Sequence, residues 1–298
     1  MRTIRSAIFE LVAAIRSRRA IVLIVLYVTM SLIVMNGAIS VLAKIETPIA
    51  DVLQVEKTDG RTGAVSAAIW QSKSFQRRVR AMVRNPQVYD DLVGKHPAEL
   101  VFAWMVFMAV PFLALFVSSR RIADEVKSGA AKYMLLRVTR LEYSMGKYLG
   151  IALMILIGLM LGALAAWAVA AIRIYGADIG SLLPSMLMWA VKAWFLSLAW
   201  LGLGLGVSHI CKSGAKADAI SLMMMLTWSI LPHLINAFAT GPISEKFTVF
   251  VRLFPSSVSS GLWRASFMPV TASALWLVML GLFWLSIGHI WSAKRDVR

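Results

Sequence analysis

Residues 120–150 read RRIADEVKSGAAKYMLLRVTRLEYSMGKYLG and form a charged segment between two long apolar runs. From Ile122 onward, apolar side chains recur at helical spacing, while charged side chains occupy the opposite arc. A loop that only connected two membrane-spanning helices would not need this pattern. The segment therefore predicts an amphipathic helix with one face toward the membrane and the other toward a protein.

The composition around this segment is that of an integral membrane protein. Hydrophobic residues make up 59% of the 298 residues and charged residues only 15%, outside the range of soluble globular domains. The net charge of +16 comes largely from Lys and Arg at the ends of apolar runs, without a nucleic-acid-binding motif. We therefore interpret this charge as a topology signal and expect no nucleic-acid partner. The single cysteine, Cys211, cannot form an internal disulfide.

Six apolar runs are long enough to cross a hydrocarbon core of about 30 Å. They cover residues 20–42, 100–117, 148–172, 183–208, 219–238 and 272–291. An even number of spans places both termini on the same side of the membrane. With the N-terminus in the cytosol, the cytosolic segments carry 17 Lys and Arg, against 4 in the short outer segments. The positive-inside rule then predicts cytosolic termini and a cytosolic charged segment.

Three further segments flank the spans. Residues 1–19 have an apolar face bordered by arginines, which predicts an interfacial elbow helix. Residues 43–99 show two short helical patterns and predict an extracytoplasmic helical loop, whose basic face is either solvated or in contact with lipid or a partner. Residues 240–271 are apolar but interrupted by prolines, which predicts a pair of re-entrant helices. The predicted fold is an all-α polytopic membrane protein with one transmembrane domain over residues 1–298.

The chain lacks recognisable catalytic, phosphate-binding and metal-binding motifs. H-E-x-x-H, G-x-S-x-G and P-loop patterns are absent, and the four histidines are scattered over different segments. We therefore expect no enzyme activity and no cofactor. The run of Gly202, Gly204 and Gly206 lies inside an apolar span, so we interpret it as a site of close helix packing. No Asp or Glu lies deep in the spans, which disfavours a secondary carrier driven by ions.

Four residues within the spans are candidates for a substrate path: Lys192, Trp228, His233 and Asn236. Lys192 lies roughly 13 Å into its helix at 1.5 Å per residue, so its ammonium either snorkels outward or faces a cavity. His233 follows Pro232 and is either a packing residue at a kink or part of a pathway. The Met and aromatic residues around Trp228 suit an amphiphilic cargo, although such side chains also serve in packing.

Nine residues of the charged segment form a loose motif: Ile122, Glu125, Gly129, Leu135, Leu136, Arg140, Tyr143, Gly146 and Lys147. With six spans, the amphipathic start and the paired short apolar segments, this motif resembles the membrane subunits of ATP-binding cassette (ABC) exporters of the type-2 permease family. The resemblance covers essentially the full length of the chain. Two positions depart from the common pattern, since Ala130 replaces the usual Thr and Val138 stands where Pro is frequent.

The resemblance implies that residues 118–147 form a cytosolic coupling helix that docks on a separate ATPase subunit. The expected contact residues are Glu125, Lys127, Lys132, Met134, Leu135, Arg137 and Arg140. Because the chain has no phosphate-binding loop, energy from ATP has to arrive through such a contact. The implied partners are ABC ATPase subunits, a second permease copy or paralogue, and membrane lipid.

The implied function is export of an unidentified substrate across the bacterial cytoplasmic (inner) membrane. Two alternatives stay open from the residues alone. The charged segment can instead be an interfacial helix that only caps the bundle, and the whole chain can be an ATP-independent membrane scaffold or assembly factor.

Overall fold

The computed structural model describes residues 8–13, 18–53, 77, 80, 91–92, 95–174, 179–238 and 255–294. The main elements in these ranges are all helices, which confirms the predicted all-α class. In chain order they are α1 (Arg18–Leu53), α2 (Pro97–Ser118), α3 (Arg121–Ser128), α4 (Ala130–Leu135), α5 (Arg140–Arg173), α6 (Ile179–Ile210), α7 (Gly214–Phe238), α8 (Pro255–Val258), a 3-10 helix (Ser259–Trp263) and α9 (Phe267–Ala293).

Five helices in the described part of the chain are long and apolar enough to cross a membrane, namely α1, α2, α5, α6 and α9. They correspond to five of the six predicted spans. The remaining predicted span, residues 219–238, falls within α7, which is helical from Gly214 to Phe238. The helices thus indicate a multi-pass membrane protein, and the count of six spans stays a prediction.

Helix α6 lies at the centre of the bundle, and every side chain from residue 196 to residue 209 is buried. A helix that is covered on all sides can approach its neighbours closely where it has no side chain. A Cβ atom added to Gly202 would collide with the carbonyl of Gly281 in α9, and one added to Gly206 would lie 2.5 Å from the carbonyl oxygen of Trp284. The prediction that this glycine run serves helix packing is confirmed.

The two segments predicted before the second span are described in part. Residues 8–13 are helical, while much of the predicted elbow helix lies outside the described residues. Helix α1 continues to Leu53, so the predicted loop of residues 43–99 starts after this residue. Most of the loop beyond that point also lies outside the described residues, and its helical character stays a prediction.

The second half of the predicted re-entrant segment is described, and it forms α8 followed by the 3-10 helix. Residues 239–254, which include the first half, lie outside the described residues. Helix α9 begins at Phe267 rather than at residue 272. Pro269 interrupts the sequence pattern but occupies the first turn of α9, where a proline removes no intrahelical hydrogen bond.

Candidate functional site

The charged segment begins with two short helices, α3 and α4, and ends in the first turns of α5. Gly129 separates α3 from α4 with a φ of 78°, a left-handed conformation that glycine adopts without steric cost. This turn changes the helical phase of α4, so the apolar residues do not share one face. Ile122 in α3 is buried, whereas Tyr133 in α4 is exposed. Val126, which precedes the turn within α3, is exposed as well, and the turn does not explain this.

The first turn of α3 is held by a side chain from α6. Ser208 Oγ accepts hydrogen bonds from the backbone N–H groups of Ile122 and Ala123, both at 3.0 Å. The first N–H groups of a helix have no partner within the helix, so this hydroxyl takes the place of a local cap. The position of α3 therefore follows the position of α6.

A second anchor joins the charged segment to α7. Asp218, in the first turns of α7, forms an ion pair with Arg120 and accepts a hydrogen bond from Ser119 Oγ at 2.5 Å. Both donors lie in the turn between α2 and α3. The pair therefore ties this turn to the start of α7.

Four side chains form a polar cluster under α3, which we call the buried latch: Glu10, Glu125, Tyr143 and Lys147. Lys147 is 0% exposed, and its Nζ donates to Glu10 Oε1 at 2.9 Å and to Glu125 Oε1 at 2.6 Å. Tyr143 Oη donates to Glu125 Oε2 at 2.5 Å. The ammonium also lies 4.8 Å from the centroid of the Tyr143 ring. The latch thus joins the N-terminal helical residues to α3 and α5.

The latch is stable as a unit because each charged group depends on the others. An ammonium buried without a counter-charge is costly, and the two carboxylates next to Lys147 provide that charge. The Tyr143 hydroxyl satisfies an acceptor on Glu125 that Lys147 does not reach. Removing one partner of a buried ion pair typically costs about 3–5 kcal/mol. Displacing α3 alone would therefore separate Glu125 from Lys147 and Tyr143 and leave the Lys147 ammonium with one counter-charge.

Outside the latch, the charged segment presents an exposed surface. Leu136 is 83% exposed and Tyr133 is 75% exposed. Several basic side chains surround these two residues in the sequence and are also exposed. Apolar and aromatic groups bordered by arginine are typical of a protein contact. We call this set the docking surface: Lys127, Lys132, Tyr133, Leu136, Arg137 and Arg140.

Three of the predicted contact residues lie away from the docking surface. Glu125 belongs to the buried latch, where Lys147 and Tyr143 occupy its carboxylate oxygens. Met134 and Leu135 are half-buried and pack against the core of the bundle. The phase of α4 after the glycine turn directs these two side chains inward and their neighbours outward.

A cavity of about 50 Å³ lies between the charged segment and the ends of α5, α6 and α9. Ser144 Oγ is 3.0 Å from His209 Nε2 and 3.2 Å from His289 Nδ1. Arg140 also lines the cavity, and its Nη1 donates to the carbonyl of Ala293 at 3.2 Å. These contacts connect three helices at the end of the bundle that carries the charged segment.

Lys192 is turned into the protein. Its Nζ donates to the carbonyl of Arg264 at 2.9 Å and lies 4.4 Å from the centroid of the Trp189 ring. Arg264 in turn pairs with Asp91 at 2.6 Å. Burial is the largest influence on the pKa of the Asp91 carboxyl and raises it, but the hydrogen bonds from Arg264 and from the backbone of Ala265, together with the positive charges of Arg264 and Lys192, lower the pKa below its usual value. Lys192 therefore holds the segment before α9 against α6.

Trp228, another candidate for the substrate path, packs between two other tryptophans. Its ring centroid lies 6.4 Å from that of Trp200 and 4.8 Å from that of Trp284. The side chains of His233 and Asn236 lie outside the described residues. The structure therefore brings Trp228 together with residues that the sequence analysis did not single out.

A comparison with protein families decides the class of this chain. The family described as ABC-2 family transporter protein matches residues 5–255, which is most of its length. The chain belongs to the ABC-2 family. The resemblance to type-2 permeases is therefore confirmed, and membership implies a membrane transport subunit that works with an ABC ATPase. A search of curated proteins finds no match.

In this ABC-2 permease, Glu10 is the member of the buried latch that sequence reasoning missed. It is the only acidic residue among residues 1–45, and a carboxylate alone in an apolar and basic segment indicates a specific partner. Lys147 was noted as part of the motif, but its role was not predicted. It lies at the start of an apolar span, where a lysine is also compatible with an exposed position.

Proposed function

We propose that this chain is the membrane subunit of an ABC exporter, in which ATP hydrolysis on a separate chain drives the movement of an amphiphilic cargo. The chain pairs with a second copy of itself or a paralogue and with two ATPase subunits. In this proposal α7 is a sixth span, and both termini and the charged segment lie in the cytosol of a bacterial cell, as the distribution of Lys and Arg favours. The permease itself performs no bond chemistry.

The observation that carries this proposal is the buried latch on the same short segment as the docking surface. Glu125 of α3 is bonded to Lys147 of α5, which is bonded to Glu10. Ser208 and Asp218 connect the start of the segment to α6 and α7. A partner that moves the segment therefore acts on several membrane helices at once.

The docking surface has the chemistry to bind an acidic groove on the ATPase. Tyr133 and Leu136 supply exposed apolar anchors, and aromatic residues and arginines carry much of the binding energy in protein interfaces. The surrounding basic side chains favour an acidic partner and increase the rate of association. In this arrangement Tyr133 and Leu136 replace Met134 and Leu135 as the apolar anchors, and Glu125 transmits the movement instead of contacting the partner.

Copurification tests the proposal. The full chain is expressed with the ATPases encoded next to it, solubilised in detergent and purified, and the bound ATPase is quantified. Tyr133→Ala should reduce the bound ATPase, because truncating an anchor at a hot spot costs about 2 kcal/mol or more, which is roughly thirtyfold in affinity. Lys132→Glu should also reduce it, because it places a negative charge opposite an acidic groove. Lys294→Glu is the matched control, since it reverses an exposed charge at the end of α9, outside the charged segment.

Two results would contradict the proposal. The first is the absence of any P-loop ATPase with the wild-type chain, which would favour the scaffold alternative. The second is an equal effect of Lys132→Glu and Lys294→Glu, which would indicate a general response to charge and no specific docking surface.

A further inference from the structure

Three tryptophans from three helices pack together deep in the bundle, and we call them the tryptophan cluster: Trp200 on α6, Trp228 on α7 and Trp284 on α9. Trp200 lies ten residues before the end of α6, and Trp284 lies nine residues before the end of α9. These separations correspond to about 14–15 Å along the helices at 1.5 Å per residue. The cluster therefore lies near the middle of a hydrocarbon core of about 30 Å.

Two indole donors of this cluster, those of Trp200 and Trp284, have no acceptor in the part of the chain that the structure describes. The Nε1 atoms of Trp200 and Trp284 are shielded from solvent and have no acceptor among the described residues, and Ser221 Oγ has no partner there either. Trp200 and Ser221 are each 1% exposed. Ser221 lies two helical turns before Trp228, so both occupy the same face of α7. Unpaired donors are rare in protein interiors, and the hydrocarbon core offers no water to replace an acceptor.

Other tryptophans on the same helix do have acceptors. Trp189 Nε1 donates to Glu99 Oε1 at 2.7 Å, and Trp194 Nε1 donates to the carbonyl of Ala152 at 2.8 Å. Among the described residues, the missing acceptors of Trp200 and Trp284 are therefore not a general property of tryptophans on α6. The indole N–H groups of Trp200 and Trp284 are thus available, within the described residues, to donate to an acceptor from another molecule.

We propose that the tryptophan cluster binds a diacyl lipid, with the indole N–H groups of Trp200 and Trp284 donating to its ester carbonyl oxygens. The donors are neutral, so they suit a neutral carbonyl better than a charged phosphate. The aromatic rings provide apolar surface for the acyl chains. That this lipid is the exported cargo rests on the function proposed above, whereas its binding to the cluster does not.

Helix α7 provides a route from the bilayer to the cluster. Its inner face carries Ser221, Met225 and Trp228, whereas Met223 is 70% exposed and Ile230 is 52% exposed on its outer face. The Trp228 ring packs against the rings of both Trp200 and Trp284, so the site is closed in this structure. Separation of α7 from α6 and α9 opens the cluster toward the surrounding lipid.

Indole NMR spectroscopy tests this proposal on the full chain. The protein carries ¹⁵N-indole tryptophan and is held in micelles of an uncharged maltoside detergent. Trp200→Phe and Trp284→Phe assign the two indole signals, and Trp189→Phe assigns the control signal, whose N–H is already bonded to Glu99. The probes are dihexanoyl phosphatidylcholine and its dihexyl ether analogue, which lacks the two carbonyl groups.

The diester should move both cluster signals downfield in a saturable manner and leave the Trp189 signal in place. The ether analogue should bind about threefold to tenfold more weakly for each hydrogen bond that it loses. Each Phe substitution in the cluster should reduce the affinity for the diester by a similar factor.

Three results would overturn the proposal: no shift with either probe, equal shifts of the cluster and Trp189 signals, or equal binding of diester and ether. Cluster signals that are already at bonded positions without a probe would also overturn it, since they would show an acceptor within the protein. The measurement needs no ATPase. Its failure therefore leaves the coupling proposal intact, and a failed copurification leaves the binding result intact.

Discussion

Replacement of Lys147 by methionine isolates the energetic role of the buried latch. Methionine retains most of the length and apolar stem of lysine but removes the ammonium. Glu10 and Glu125 then lose the cation that lies 2.9 Å and 2.6 Å from them. Because the removal of one partner from a buried ion pair costs about 3–5 kcal/mol, the unfolded fraction should rise roughly a hundredfold to a few thousandfold.

The free energy of unfolding is measured by titration of the detergent-solubilised chain with SDS, followed by circular dichroism. Lys127→Met is the control, since it removes an exposed lysine from the same segment and should change the free energy by less than about 0.5 kcal/mol. The double variant Lys147→Met with Glu125→Gln removes one of the two stranded charges. It should recover part of the loss, because fewer uncompensated charges stay buried.

The reasoning fails if Lys147→Met and Lys127→Met destabilise the chain equally. Such a result would mean that Lys147 reaches solvent in the folded protein and that Glu125 is free to contact a partner. A double variant that is less stable than Lys147→Met alone would also contradict the pairing. It would show that the Glu125 carboxylate stabilises the fold even when Lys147 is absent.

Three further predictions concern local structure, and unfolding midpoints test each of them. Gly206→Val should destabilise the chain by about 1–3 kcal/mol, since its Cβ meets the backbone of α9, whereas Gly37→Ala meets open space and should be neutral or slightly stabilising. His96 Nδ1 caps α2, and burial lowers the pKa of this histidine. The folded state therefore binds fewer protons than the unfolded state, and stability should fall as the pH drops below about 6.5. His96→Asn should remove this dependence on pH. Thr139→Ala breaks the capping box of α5 and should cost about 1 kcal/mol, whereas Thr139→Ser should not.

The helices of this fold were predictable because the membrane imposes a simple rule on the sequence. A helix that crosses hydrocarbon needs about 20 apolar residues, and such runs are visible without any knowledge of tertiary contacts. The run from Gly202 to Gly206 was interpretable for the same reason, since small residues in an apolar span allow helices to approach. The bounds of α1 and α9 were less predictable because helices continue past the apolar run at their ends.

The candidate site was predictable in its position but not in its contacts. Glu10 and Lys147 are separated by 137 residues, and no periodic pattern relates them. The glycine turn at Gly129 changes the phase of α4, so spacing measured across it misassigned which side chains are exposed. Helical periodicity holds only as long as the helix is continuous, and Tyr133 and Leu136 lie beyond that point.

The latch also sets an order for the assembly of the protein in the membrane. Both carboxylates precede Lys147 in the chain, by 137 and 22 residues. On the ribosome both carboxylates are therefore synthesised before Lys147, so the two counter-charges already exist when this lysine is added to the chain. The latch can therefore close only after α5 has begun to leave the ribosome, later than the two carboxylates that it joins.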